Sequence, residues 1–210
     1  MLKVEKIQEK VPVSTLNIDE YIPLTIEWHE EVSHLPPLYW RTGNFQTSLL
    51  ELGIHHSRRT PCSLTLTMID YIGIKKEPIR IEPIENKGFP SFSYNSAWES
   101  DARIDESIPL HICTWDDCVS FLFSNDGSQA KTFIRSNNVI WGIGENQALV
   151  GIYVFLDQPQ MDNYRRCNRL SPFPSGNLRA RSGASSVLTA KRPLRAGAAP
   201  LKAPRYGFWR

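Results

Sequence analysis

Between residues 108 and 155 the chain alternates short apolar segments with compact polar breaks. IPLHICT, CVSFLF, TFIRS, VIWGIG and LVGIYVF are separated by WDD, SNDG, SNN and GENQ. β-Branched and aromatic residues fill the segments, while Asn, Asp and Gly fill the breaks, and this is the chemistry of strands joined by tight turns rather than of helix caps. The pattern predicts an antiparallel meander over roughly 108–115, 118–124, 131–135, 139–144 and 148–155.

The same reading extends upstream. In YIPLTIEWHE, Ile22, Leu24, Ile26 and Trp28 share one side of an extended segment and Thr25 and Glu27 the other, with Pro23 making it an edge strand or the very start of one. HLPPLYWRTGN reads as a Pro-rich loop ending in a turn. SLLELGI (48–54) and SLTLTMIDYIGI (63–74) read as strands joined by HHSRRTPC, the second with Leu64, Leu66 and Met68 on a core face and Thr65 and Thr67 opposite. Residues 1–20 read as a polar lead-in with a short strand in KVEKIQEKVPV, and 75–107 as one short strand at PIRIEP within loop. No stretch sustains a 3.6-residue period beyond about three turns. The expected class is mainly β, or α+β with little helix: an antiparallel meander sheet or sandwich.

Length adds that 210 residues suit one well-buried domain better than two. Charge divides the chain. Residues 1–164 hold all 22 acidic residues and 13 Lys and Arg, a net −9, whereas 165–210 hold 11 basic residues and no acidic one. The C-terminal segment is rich in Ala, Arg, Pro, Ser and Gly without a period, so it offers too little apolar area to offset its ordering entropy. The boundary is placed near Tyr164: an acidic β-rich globular domain over 1–164 and a basic, disordered tail over 165–210. The tail reads either as an electrostatic arm for phosphate backbones or the domain's own acidic face, or as an extension joined by frameshift or recombination. The abrupt compositional change favours the extension. The apolar runs are too short to span a membrane and the N-terminus lacks the apolar core of a secretory signal, so no membrane association and a cytoplasmic location are expected.

Candidate chemistry is sparse. His55 and His56 are adjacent in an extended connection and point apart, which makes them poor joint metal ligands and assigns them to a surface loop. Cys113 and Cys118 flank WDD and would face each other across a four-residue TWDD loop. A disulfide there is conceivable, but two reduced thiols are favoured in a chain with no secretory signal. One loose Cys pair is too little for zinc. The carboxylate pairs lack a partner across a cleft, no nucleophile elbow occurs, and GIGEN lies between strands rather than before a helix, so it reads as a turn. Neither a catalytic set nor a metal or cofactor site is therefore expected. What remains is Trp98, Glu99, Asp101, Asp105 and Glu106 in one acidic segment, and Trp115, Asp116 and Asp117 in another. An aromatic anchor among carboxylates suits a basic protein partner. The same residues also fit two core tryptophans among solubilising acids.

The order SLLELGI, a short connection, SLTLTMID, then CTWDD and VIWGIGENQALVGIYVFL resembles small bacterial immunity proteins of the contact-dependent or Rhs type, encoded beside polymorphic toxins. The resemblance spans roughly residues 45–156. It implies stoichiometric binding of a cognate protein toxin, often a nuclease, without catalysis, and the basic tail departs from that pattern. Two further functions stand beside it: nucleic-acid binding through the tail alone, and a hydrolase built from the scattered carboxylates and histidines.

Overall fold

The computed structural model describes residues 1–29, 34–69, 74, 76, 81, 84–93, 98, 101–123 and 130–169. In chain order the elements are β1 (Val4–Gln8), β2 (Val13–Asn17), β3 (Leu24–His29), β4 (Leu38–Gly43), β5 (Leu49–Ile54), β6 (Pro61–Met68), β7 (Ile84–Lys87), β8 (Phe89–Phe92), β9 (Arg103–Glu106), β10 (Leu110–Trp115), β11 (Cys118–Phe123), β12 (Thr132–Ser136), β13 (Val139–Ile143), β14 (Leu149–Phe155) and α1 (Gln158–Arg169). The fold is mainly β, as the apolar pattern predicts. The PIRIEP strand, apart from Ile81, and the basic segment from residue 170 lie outside the described residues.

Two six-stranded sheets carry the architecture, ordered β2-β3-β6-β5-β4-β9 and β10-β11-β14-β13-β12-β7, beside a β1–β8 ribbon. The two sheets have the same construction. A hairpin (β2–β3; β10–β11) is followed by three antiparallel strands (β4–β5–β6; β12–β13–β14), the last of which returns beside the second strand of the hairpin. This is a Greek-key connection rather than the plain meander expected from the turns. A parallel strand completes each far edge, β9 on β4 and β7 on β12. Matching positions even share a dipeptide: Gly53-Ile54 closes β5 and Gly142-Ile143 closes β13.

The sheets are packed face to face with their strands crossing. Over the β2 edge lie the ends of the second sheet at the β12–β13 and β10–β11 turns: Asn137 Nδ2 donates to the Pro12 carbonyl, and α1 joins Asp116 to Ile18. Over the β9 edge lie the opposite strand ends, where Leu149 N–H donates to the Leu2 carbonyl and the Met1 ammonium reaches Glu106. Crossed packing of this kind lets each sheet cover the other without aligned strands.

The core is aromatic. Trp28 on β3 meets Trp141 on β13 at 5.7 Å between centroids, and Trp40 on β4 meets Phe123 on β11 edge to face at 5.3 Å. Leu24, Ile26, Leu64 and Leu66 alternate inward on β3 and β6 with Thr25, Thr65 and Thr67 turned the other way, as their period of two dictates. The second sheet behaves differently because both of its faces are covered: Phe133, Ile140, Tyr153 and Cys118 form a second buried cluster on the side away from the main core. That is why VIWGI and LVGIYVF read as continuous apolar runs.

Several expectations are corrected. Of the two readings of Pro23 the strand start holds and the edge does not: β3 begins at Leu24 and lies between β2 and β6, since a missing N–H just before the strand costs the ladder nothing, while Ile22, expected on the strand, falls in the turn and is exposed. LYWRTG, expected as loop, is β4, held by antiparallel β5 and by parallel β9. Within the expected loop 75–107, Phe89 and Phe92 are fully buried on β8, and β9 forms by adding to the β4 edge. His55 is buried rather than a surface loop residue, its Nδ1 accepting the Arg58 N–H at 3.2 Å to close the β5–β6 turn. Finally, α1 runs past Tyr164. Met161, Tyr164 and Cys167 pack into the main core from one helix stripe, so the packed body continues past the boundary placed at Tyr164.

The β10–β11 register also settles the thiol geometry. Cys113 pairs with Ser120 and Trp115 with Cys118, so the loop is the two residues Asp116 and Asp117 and the cysteines are diagonal rather than opposed. None of the four cysteines is in a disulfide; three are buried and Cys62 is half-buried. Burial, with the Asp117 carboxylate adding to it, pushes the Cys118 thiol up to about 12. A disulfide reagent such as Ellman's is therefore expected to label native protein at pH 8 through Cys62, while Cys118 reacts only as the protein opens. Retention of the fast phase in Cys62→Ser would contradict this.

Candidate partner-binding site

The eight residues singled out in the sequence fall into two separate places. Asp101, Asp105 and Glu106 lie on or beside β9, at one edge of the first sheet. The Asp105 carboxylate takes a bidentate pair of hydrogen bonds from Arg41, Nε to Oδ1 at 2.7 Å and Nη2 to Oδ2 at 2.6 Å. That guanidinium holds Asp105 below the usual carboxylate range. Glu106 accepts the Trp40 indole N–H at 2.9 Å and the Met1 ammonium at 2.6 Å, and Arg103 lies 3.9 Å from Asp101. Asp105 and Glu106 tie β9 to β4 and to the N-terminus, while Asp101 pairs within its own segment, so each of the three carboxylates has a cationic partner within the fold.

Trp98 is a core residue. Only 5 % of it is exposed, and its indole N–H donates to the Tyr39 carbonyl at 3.4 Å. Because β9 adds in parallel to β4, the residues just before β9 are drawn over Tyr39, and the anchor expected on the surface is buried. Glu99 lies outside the described residues.

Trp115, Asp116 and Asp117 are placed otherwise. They form the exposed tip of the β10–β11 hairpin, with Trp115 at 41 % exposure and Asp116 in a left-handed conformation at φ 42°. Asp favours that conformation because its short polar side chain tolerates it. The tip is fixed to the body from two sides: Leu156 N–H donates to the Asp117 carbonyl at 2.8 Å, and Arg165 Nη2 to the Asp116 carbonyl at 3.0 Å. The tip lies over the β2 edge and the β9 carboxylates on the opposite edge, five interstrand spacings or about 24 Å away across the first sheet. The two acidic groups therefore belong to different surfaces.

Two further features were not read from the sequence. The β2–β3 turn carries Asp19, Glu20, Tyr21 and Ile22, with Tyr21 90 % exposed and Ile22 40 %. Asp19 Oδ1 accepts the N–H groups of both Tyr21 and Ile22 at 2.7 Å, a local Asx turn that holds these side chains outward. Asn163 Nδ2 on α1 donates to the Ile18 carbonyl at 2.9 Å, so this turn too is fastened to the helix. Burial raises the Cys167 thiol, and Glu20 and Asp19 push the same way against Arg166. The second feature is a shallow cavity of about 290 Å³ between the β4–β5 turn and residues 107–112, lined by Asn44, Ser48, Ser107 and His111 among others, whose one titratable lining side chain is His111.

No protein-family model and no curated protein matches this chain. No helix among the described residues is long and apolar enough to cross a membrane.

Proposed function

We propose that the chain acts without catalysis, by stoichiometric binding of a basic protein, in the way an immunity protein neutralises a cognate bacterial toxin, and that the β10–β11 tip is part of the contact. The observation that carries this is Trp115, 41 % exposed between a fixed turn and two exposed carboxylates. A rigidly mounted indole supplies contact area at low entropic cost, and such residues dominate binding energy once desolvated. The neighbouring carboxylates speed encounter with a basic surface, the kind with which a nuclease holds its substrate. The resemblance over residues 45–156 supplies the biological form of the reading. Trp98 and the β9 carboxylates are left out of the contact surface, since one is buried and the others are engaged within the fold.

The test is co-expression of the full chain with the product of the gene immediately upstream, which this reading expects to be a basic toxin. A one-to-one complex is expected, and Asp116→Lys/Asp117→Lys should weaken it about thirtyfold, the equivalent of roughly 2 kcal/mol. Absence of a complex at micromolar concentration would overturn the reading, and unchanged affinity in the double variant would remove the tip from it. A second reading rests on the tail charge, eight basic residues and no acidic one from Leu170 onward. Salt-sensitive DNA retention that vanishes on truncation after Arg169 would favour nucleic-acid binding instead.

A further inference from the structure

The β2–β3 and β10–β11 hairpins occupy the same position in the two matching sheets, each the first pair of its sheet and each followed by the same three-strand return. Their tips share a chemistry that the sequence order conceals. One presents Glu20 and Tyr21 beside the half-buried Asp19 that shapes the turn, the other Trp115, Asp116 and Asp117: an exposed aromatic next to carboxylates in both cases. Both tips are tied to the same stretch of α1, one through Asn163 and the other through Arg165. Two residues apart on a helix is about 200° of rotation, so the tips flank α1 from opposite sides.

The helix between them completes the surface. Met161, Tyr164 and Cys167 face the core, leaving Asp162, Arg165 and Arg166 outward. A helix is about 10 Å wide with its side chains, whereas a standard interface of about 800 Å² per partner is about 30 Å across. One partner can therefore cover both tips at once. Among the described side chains, four exposed carboxylates (Glu20, Asp116, Asp117 and Asp162) outnumber two exposed guanidinium groups (Arg165 and Arg166) on the two tips and the helix, with the half-buried Asp19 adding to the negative side. That balance repels phosphate backbones and anionic lipid headgroups and suits a basic protein.

We propose that the two hairpin tips and the helix between them form a single docking surface for one basic protein, with Tyr21 and Trp115 as its paired aromatic anchors and Ile22 packing beside the first. This rests on the binding function proposed above and extends it to a second hairpin on the far side of α1. The geometry accounts for why α1 is fastened by side-chain-to-carbonyl bonds to both turns: the helix fixes the spacing of the anchors before the partner arrives, which reduces the ordering cost of association.

The experiment measures, by calorimetry, affinity for the product of the gene immediately upstream, the protein used in the co-expression test above, with full-length Tyr21→Ala, Trp115→Ala and the double variant, and Val13→Ser as control. Val13 is 73 % exposed at the start of β2, away from the turn. Tyr21→Ala and Trp115→Ala are each expected to weaken binding about tenfold, and Val13→Ser less than twofold. Tyr21 is almost wholly exposed, so its removal leaves the fold unchanged, which an unaltered thermal melt checks. A loss at Trp115 with none at Tyr21 would overturn the two-tip surface while leaving the single-tip reading intact. No loss at either would overturn both, and an equal loss at Val13 would show that the contact is not confined to this end.

Discussion

Trp141→Ala is expected to lower the unfolding free energy of the full chain by about 4 kcal/mol, a large part of the 5–15 kcal/mol that a domain of this size has in total. Trp141 is fully buried at the centre of the second sheet. It packs against Trp28 from the first sheet and Phe92 from the ribbon, with centroids 5.7 and 6.2 Å away, so its removal opens a cavity where three layers meet. The transfer cost of a lost indole and the cost of the unfilled volume add, because a site walled by two other rings collapses poorly. A hydrogen-bond chain is lost as well: the Trp141 indole N–H donates to Ser136 Oγ at 2.9 Å, and Ser136 Oγ donates to the Gly88 carbonyl, joining β13, β12 and the β7–β8 corner. Urea unfolding followed by circular dichroism should show a lower midpoint at unchanged slope. A loss under about 1 kcal/mol would mean that the aromatic seam does not hold the sheets together.

The strands that alternate cleanly or carry long apolar runs were legible in the sequence: β5, β10, β11, β13 and β14 lie where the period of two and the Asn, Asp and Gly breaks place them, while β6 was expected over 63–74 and runs over Pro61–Met68, taking in the end of the expected connection. Those that depend on a distant partner were not. β9 is a strand because Tyr39–Thr42 offers it an open parallel edge, and β8 because Leu2 and Val4 bring β1 alongside Phe89 and Phe92. Neither partner is near in sequence. α1 was hidden for another reason. Its apolar stripe is Met161, Tyr164 and Cys167 alone within QPQMDNYRRCNR, and the basic residues that begin at Arg165 made the composition look like the start of the tail.

The candidate site was half legible, and the missing half is instructive. Trp98 and Trp115 stand in the same local chemistry, an indole among carboxylates, and only the parallel addition of β9 to β4 buries the first while a two-residue turn exposes the second. Nothing within a few residues of Trp98 encodes its burial. Tyr21 was passed over because it follows a polar lead-in, although Asp19 three residues before Ile22 is an Asx-turn signal and Leu52-Gly53-Ile54 beside Trp141-Gly142-Ile143 hints at the matched halves. Once the halves are aligned, the β2–β3 turn becomes the counterpart of the β10–β11 tip.

Gly43→Ala is expected to cost about 3 kcal/mol, far more than the same change at Gly53, although both glycines are tightly enclosed. At Gly43 the backbone sits at φ 131°, outside the range of an alanine, and a Cβ there would lie 2.2 Å from the Ser48 carbonyl oxygen and 2.9 Å from its carbon. Those atoms are main chain and belong to a turn already fixed by Asn44, whose Oδ1 accepts the N–H groups of Gln46, Thr47 and Ser48 at 2.8 to 2.9 Å. Relief would require breaking that turn or slipping the β4–β5 register that pairs Gly43 with Leu49. At Gly53 the nearest atom to a new Cβ is the Ser63 hydroxyl at 2.3 Å, the end of a side chain that can rotate away, and the backbone is not left-handed there. A cost of about 1 kcal/mol is therefore expected for Gly53→Ala. Parallel urea titrations of the two variants decide the matter: equal losses would show that the β4–β5 turn yields as readily as a serine side chain, and the rigidity argued for that end of the first sheet would fall.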